Sequence, residues 1–188
     1  MSNLGEHEER WLDDIRRSPS INCDERPFGT KVELIVLHAI SLPPNEFGEN
    51  HIEKFFTNAL DCDRHPYFKT LEKVRVSPHF LINREGEITQ FVELRKRAWH
   101  SGESCWLGRR ACNDFSIGIE LEGCDTTPFE LLQYDSLANI IIKIFEIYPE
   151  IQKESVVGHS DIAPDRKTDP GPFFNWDLLQ SKISEFMR

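Results

Sequence analysis

Four successive apolar residues, Leu34-Ile35-Val36-Leu37, run straight into the imidazole of His38. A run without polar alternation describes a strand covered on both faces, inside a sheet rather than along its rim. Covering both faces calls for packed layers on either side. Ser155-Val156-Val157-Gly158-His159 repeats the arrangement on a smaller scale, again closing on histidine. Side chains at the ends of buried strands are held by the sheet yet open toward loops, where a site has a rigid base.

The rest of the chain alternates strand and helix signals. The first strand is expected over Val32 to Ile40, with a proline-bearing loop from Ser41 to Gly48. Ile52, Phe55, Phe56, Ala59 and Leu60 fall on one helical stripe. His79 to Asn83 and Glu87 to Val92 flank Arg84-Glu85-Gly86, a hairpin signal with glycine available for a positive backbone angle. Phe115 to Glu122 alternates, with Ile117, Ile119 and Leu121 on one face and Ser116, Gly118, Glu120 and Glu122 on the other. Thr127, Pro128 and Glu130 read as N-cap, first helical residue and capping-box partner of a helix whose apolar side carries Leu137, Ile140, Ile141, Ile144, Phe145 and Tyr148. Trp176, Leu179, Ile183 and Phe186 mark a closing helix. The expected fold is mixed α/β, a central mixed β-sheet flanked by helices.

Length and charge restrict what such a fold can do. With 188 residues the chain suits one well-filled core, so a single domain over 1–188 is expected, its core from about residue 26. It carries 22 basic and 32 acidic residues, a formal net charge of −10. That balance argues against nucleic acid or an anionic membrane surface as partner. The first residues lack the basic start and apolar stretch of a secretory signal, and no segment nears the roughly 18 apolar residues of a membrane span. A cytoplasmic location is expected, and a monomer is the default. Cys23, Cys62, Cys105, Cys112 and Cys124 are odd in number and lack Cys-x-x-Cys spacing, which suits reduced thiols.

The chemistry centres on Gly158 to Pro172. His159, Lys167 and Asp169 sit there within a stretch stiffened by three prolines and two glycines. Such loops often only turn the chain, and a lone histidine is often a hydrogen-bonded bystander. His38 alters that balance. Two imidazoles and one carboxylate are the ligand set of a catalytic zinc site, with a fourth position left for water. Zinc lowers the pKa of bound water to about 7 and polarises carbonyls, so hydrolysis near neutral pH becomes feasible. Glu120, beside the small residues Ser116 and Gly118 and with room expected above it for a substrate or a metal-bound water, is the candidate general base. Lys167 is the candidate to offset charge on a tetrahedral intermediate.

Four blocks carry a resemblance. They are Leu37 to Pro44, Arg97 to Gly102, Cys112 to Gly123 and Ala163 to Pro172. In this order they resemble the cytoplasmic 1,6-anhydro-N-acetylmuramyl-L-alanine amidases, the AmpD family. With an amino-terminal helix over 7–17 around Trp11 and Leu12, the likeness covers nearly the whole chain. The resemblance implies an amidase fold of the peptidoglycan-recognition type. It also implies a zinc enzyme of peptidoglycan recycling that cuts the amide between the lactyl group of anhydro-N-acetylmuramic acid and L-alanine in small soluble muropeptides. It implies His38, His159 and Asp169 as metal ligands and Glu120 and Lys167 as catalytic groups. By the same likeness Tyr67, Arg75 and Trp99 line the muropeptide cleft and Arg166 pairs with a peptide carboxylate.

Two positions depart from the family pattern. Ala39 stands where an asparagine follows the first ligand, and Ala111 where an arginine would assist Arg166, a task that Arg110 or Arg109 could take over. Two rival readings have distinct marks. A non-catalytic binding module of the same fold would lack a metal ligand, and a thiol hydrolase would pair Cys112 with His100 or His79.

Overall fold

The computed structural model describes residues 11–186. In chain order the first elements are β1 (Arg16–Arg17), β2 (Cys23–Glu25), β3 (Leu34–Ile40), α1 (His51–Phe56), α2 (Pro66–Leu71), β4 (Phe80–Ile82), β5 (Ile88–Gln90) and β6 (Lys96–Ala98). They are followed by β7 (Cys105–Trp106), β8 (Arg109–Arg110), β9 (Ser116–Glu122), α3 (Leu131–Ile147), β10 (Val156–Gly158), α4 (His159–Ile162) and α5 (Trp176–Phe186).

Six strands form a mixed sheet in the order β1-β5-β4-β9-β3-β10. β3 lies between β9 and β10 and runs parallel to both, while β4 and β5 form the one antiparallel pair of that sheet. The continuous apolar run has the cause expected of it. Ile35 and Leu37 enter the large core with Leu137, Ile141, Leu179 and Ile183 of α3 and α5. Leu34 and Val36 point to the other face, among Cys112, Phe115, Val157 and Ile162. A third cluster gathers Phe55, Phe56 and Phe68 of α1 and α2 against Phe91 and Val92. His38 follows the Leu34 and Val36 side by the period of two, so it opens away from α3 and α5. No helix among the described residues is long and apolar enough to cross a membrane.

Several boundaries differ from expectation. The hairpin around Arg84-Glu85-Gly86 is present, with Gly86 at φ +80. The amino-terminal helix over 7–17 is not found where it can be judged: residues 7–10 lie outside the described residues, and Arg16–Arg17 is an edge strand paired with Thr89–Gln90. Leu12 N–H donates to Gln90 Oε1 at 2.9 Å, tying this segment to the sheet. α1 ends at Phe56, because Asn58 turns into the left-handed region at φ 60, so Ala59 and Leu60 lie beyond it.

α3 begins later than the Thr127 capping box predicts. Its N-cap is Glu130, and the Glu130 N–H donates to Gln133 Oε1 at 3.0 Å. Thr127 is instead bridged to Cys124, and Phe129 is buried with its ring 5.5 Å from that of Phe174. Apolar burial of Phe129 holds the chain extended across the point where local capping signals would start a helix.

Candidate active site

Three parallel strands present their carboxyl ends side by side, and the polar residues of interest hang from them. His38 is paired in register with Glu120 across β3 and β9. Gly158 pairs with Leu37, which places His159 one step beyond the end of β10. Gly158 is constrained by its neighbour, since a Cβ there would lie 2.8 Å from Pro170 Cδ. This close approach brings the Pro/Gly loop back over the sheet. Ser160 N–H donates to the Asp169 carbonyl at 3.0 Å, fixing the return. Ligands of open α/β sheets bind at such strand ends.

The donor atoms converge. His38 Nδ1 lies 2.9 Å from His159 Nδ1 and 3.2 Å from Asp169 Oδ2, and His159 Nδ1 lies 3.0 Å from the same oxygen. His38 and His159 are 1% and 3% exposed. A tetrahedral ion with bonds of about 2.0–2.1 Å spaces its ligand atoms about 3.3 Å apart, so the set fits a small divalent cation with little adjustment. This trio is the one group of three such donors close enough to share an ion among the described residues. Burial holds His38 down at about 4 against its carboxylate partner, leaving the neutral, ligating form of the ring at pH 7. Burial alone would raise the Asp169 carboxyl, but hydrogen bonds to His159 and His38 outweigh it and keep the group ionised.

A cavity of about 470 Å³ opens above the trio, lined also by Glu120, Lys167, Arg166 and Tyr67, with Ser41, Leu42 and Asn45 on one rim. Glu120 Oε2 is closed to solvent and has no hydrogen-bond partner among the described residues. Burial, then the charge of Asp169, pushes the Glu120 carboxyl well above the ordinary range, while Lys167 pulls the other way. The rim is anchored from below. Buried Glu122 accepts from the N–H groups of Gly48 at 2.7 Å and Arg84 at 3.2 Å.

Not every expected residue meets the cavity. Arg75 lies in a neighbouring depression with Asp61, Asp63 and Glu72, its Nη1 donating to the carbonyls of Glu72 and Val74. Trp99 is half-buried and does not line the cavity. Arg166 does line it, and its Nη2 donates to the carbonyls of Ser101 at 2.8 Å and Glu103 at 2.7 Å. Arg110 and Ala111 border a separate groove that Arg166 also reaches.

Sequence reading placed His100 in a family block and in the thiol alternative, and did not set it beside the donor trio. Its ring lies over Gly118, where a Cβ would come within 2.4 Å of His100 Cγ, while Glu120 lines the open cavity. A buried imidazole in the Trp-His-Ser-Gly segment was the available signal, but the segment has no periodicity that would reveal its depth. The thiol reading fails on geometry. Cys112 is fully buried and burial pushes its thiol up, whereas a nucleophile needs the reverse. His79 and His100 have both ring nitrogens engaged, His79 with Gly118 N–H and the Lys96 carbonyl, His100 with His38 and Ser116.

Residues 28–172 match the N-acetylmuramoyl-L-alanine amidase family, and the chain belongs to it. The likeness narrows within that class to its 1,6-anhydro branch. The chain is 49% identical to the 1,6-anhydro-N-acetylmuramyl-L-alanine amidase AmpD of Escherichia coli K12, over 95% of this chain and 97% of that protein. Its fold superposes on the crystal structure of a selenomethionine AmpD derivative with a TM-score of 0.90, at 48% identity, covering 94% of this chain and 98% of that one. A complex of the E. coli amidase AmiD with anhydro-N-acetylmuramic acid-L-Ala-D-γ-Glu-L-Lys is similar at a TM-score of 0.60 and 30% identity, covering 86% of this chain and 65% of AmiD.

Proposed function

We propose that this chain is a zinc-dependent amidase that hydrolyses the amide between the lactyl group of 1,6-anhydro-N-acetylmuramic acid and L-alanine in small soluble muropeptides, for cytoplasmic peptidoglycan recycling. The observation that carries the reading is the convergence of His38 Nδ1, His159 Nδ1 and Asp169 Oδ2 beside the unpartnered carboxyl of Glu120. The activity in the name of the E. coli relative AmpD and the ligand bound to AmiD support the substrate class.

His38, His159 and Asp169 would hold the ion, and a bound zinc supplies Lewis acidity toward a carbonyl and an acidified water near neutral pH. Glu120 takes the proton of the attacking water and returns it to the departing amine nitrogen. Burial, the main cause of its raised proton affinity, favours holding that proton until it passes to the amine. Lys167 faces the same cavity and compensates the negative charge that builds on the carbonyl oxygen. Tyr67 and Arg166 contact the muropeptide along the cavity walls, whereas Arg75 and Trp99 lie off it and are assigned no role. The full donor trio disfavours a binding module without catalysis.

The test is incubation of zinc-loaded and chelated protein with an anhydro-muramyl tripeptide, followed by mass analysis. Release of intact tripeptide and anhydro-N-acetylmuramic acid by the loaded form alone is expected. Uncut substrate with the loaded form, or equal cutting after chelation, overturns the proposal.

A further inference from the structure

The two imidazoles of the donor trio are each held from behind by one dipeptide. His38 turns Nδ1 toward His159 and Asp169, and its remote Nε2 lies 2.9 Å from His100 Nδ1. His159 likewise turns Nδ1 inward, and its Nε2 lies 3.0 Å from the carbonyl of Ser101, the next residue. His100 passes the contact on, its Nε2 standing 3.1 Å from Ser116 Oγ on β9.

The dipeptide is itself pinned. Asn113 Oδ1 accepts from His100 N–H at 3.1 Å, Ser101 N–H at 2.8 Å and Ser101 Oγ–H at 2.8 Å. Gly118 beneath the His100 ring leaves no space for any side chain, so the ring has one seat.

A neutral imidazole carries one N–H and one lone pair, and the hydrogen bond made by one nitrogen decides which nitrogen keeps the lone pair. The Ser101 carbonyl can only accept, so His159 Nε2 carries the proton and Nδ1 the lone pair. His100 can accept at Nδ1 while donating from Nε2 to the serine oxygen, and His38 Nε2 then donates. We propose that His100 is a positioning residue for His38, fixing its tautomer and ring angle so that Nδ1 offers a lone pair to a metal ion, with Ser101 doing the same for His159 through its main chain. His100, which also lines the cavity, acts in this role through His38. The inference rests on the metal reading given above.

Zinc affinity measured by competition with a chromophoric chelator tests it, with the melting profile of the metal-free protein as the check on folding. His100→Leu fills much of the ring's space without an acceptor and is expected to weaken zinc binding about 10- to 100-fold, the usual cost of losing a partner of a ligating histidine. His100→Asn places an amide oxygen where Nδ1 stood and is expected to recover most of that loss, which a purely space-filling role would not produce. Should His100→Leu fail to fold, Ser116→Ala removes only the outer contact and is expected to weaken zinc binding by a few-fold. Wild-type affinity in a folded His100→Leu, or in Ser116→Ala if that variant is needed, overturns the inference while leaving the metal reading intact. Equal losses in His100→Leu and His100→Asn also overturn it. A wild-type chain that takes up no zinc overturns both.

Discussion

Glu120 shows how a single residue is given its chemistry by its surroundings. Its strand neighbours are legible in the sequence, since Ile117, Ile119 and Leu121 alternate with it and are fully buried. Its proton affinity is not, because that depends first on burial by the finished fold and then on Asp169 and Lys167 from a distant loop. Glu120→Gln keeps the shape and removes the base. The variant is expected to bind zinc as wild type does and to lose about 100- to 10,000-fold in turnover, read from zinc content and initial rates side by side. Wild-type rates with a full complement of zinc would remove Glu120 from the mechanism. The two histidines of the donor trio were readable as candidates because each ends an apolar run. His100 was not, because its partners His38 and Ser116 are 62 and 16 residues away and nothing local marks it as buried.

At the scale of elements, the sheet was more legible than the helix starts. A run such as Leu34 to Leu37 admits one environment, whereas the local capping signal at Thr127 is overridden by burial of Phe129, which moves the N-cap to Glu130. The short edge strand Arg16–Arg17 carries no strand signal of its own. Its pairing with β5 is supported by Arg16, whose guanidinium reaches Glu53 at 2.7 and 3.0 Å and Thr89 Oγ1 at 2.8 Å. The cavity rim belongs to this scale too. Glu122 ties the 41–48 loop to the β4–β5 hairpin through two main-chain N–H groups. Glu122→Ala leaves both donors without their carboxylate and is expected to cost about 1–3 kcal/mol in stability by urea unfolding. With substrate in the cavity as proposed, the rim stands away from the reacting bond, so KM should rise more than kcat falls. A variant with wild-type stability and KM would show that the rim is held by other contacts.

For the whole molecule, buried neutral histidines predict acid sensitivity. Burial lowers His79 to about 3, while an unfolded chain titrates near about 6.5. Between those values the unfolded state binds the extra proton, so the contribution is complete above about 6.5 and is lost as pH falls toward 3. The slope for one such group is about 1.4 kcal/mol per pH unit. Unfolding midpoints measured at pH 7 and pH 5 should therefore fall on acidification. His79→Asn, which can still accept from Gly118 N–H, should give a shallower fall, and an unchanged slope would assign the sensitivity elsewhere.

The register that pairs His38 with Glu120 on neighbouring strands has a further consequence. Backbones of adjacent strands stand about 4.8 Å apart wherever a sheet forms, so the gap between the proposed ion holder and the proposed proton carrier is ruled by the pitch of the sheet itself. Surface segments around the mouth can be lengthened, shortened or exchanged to admit other muropeptides while that gauge stays constant. Redesign of selectivity can therefore be confined to the perimeter, with the hydrolytic interior left as a fixed cassette.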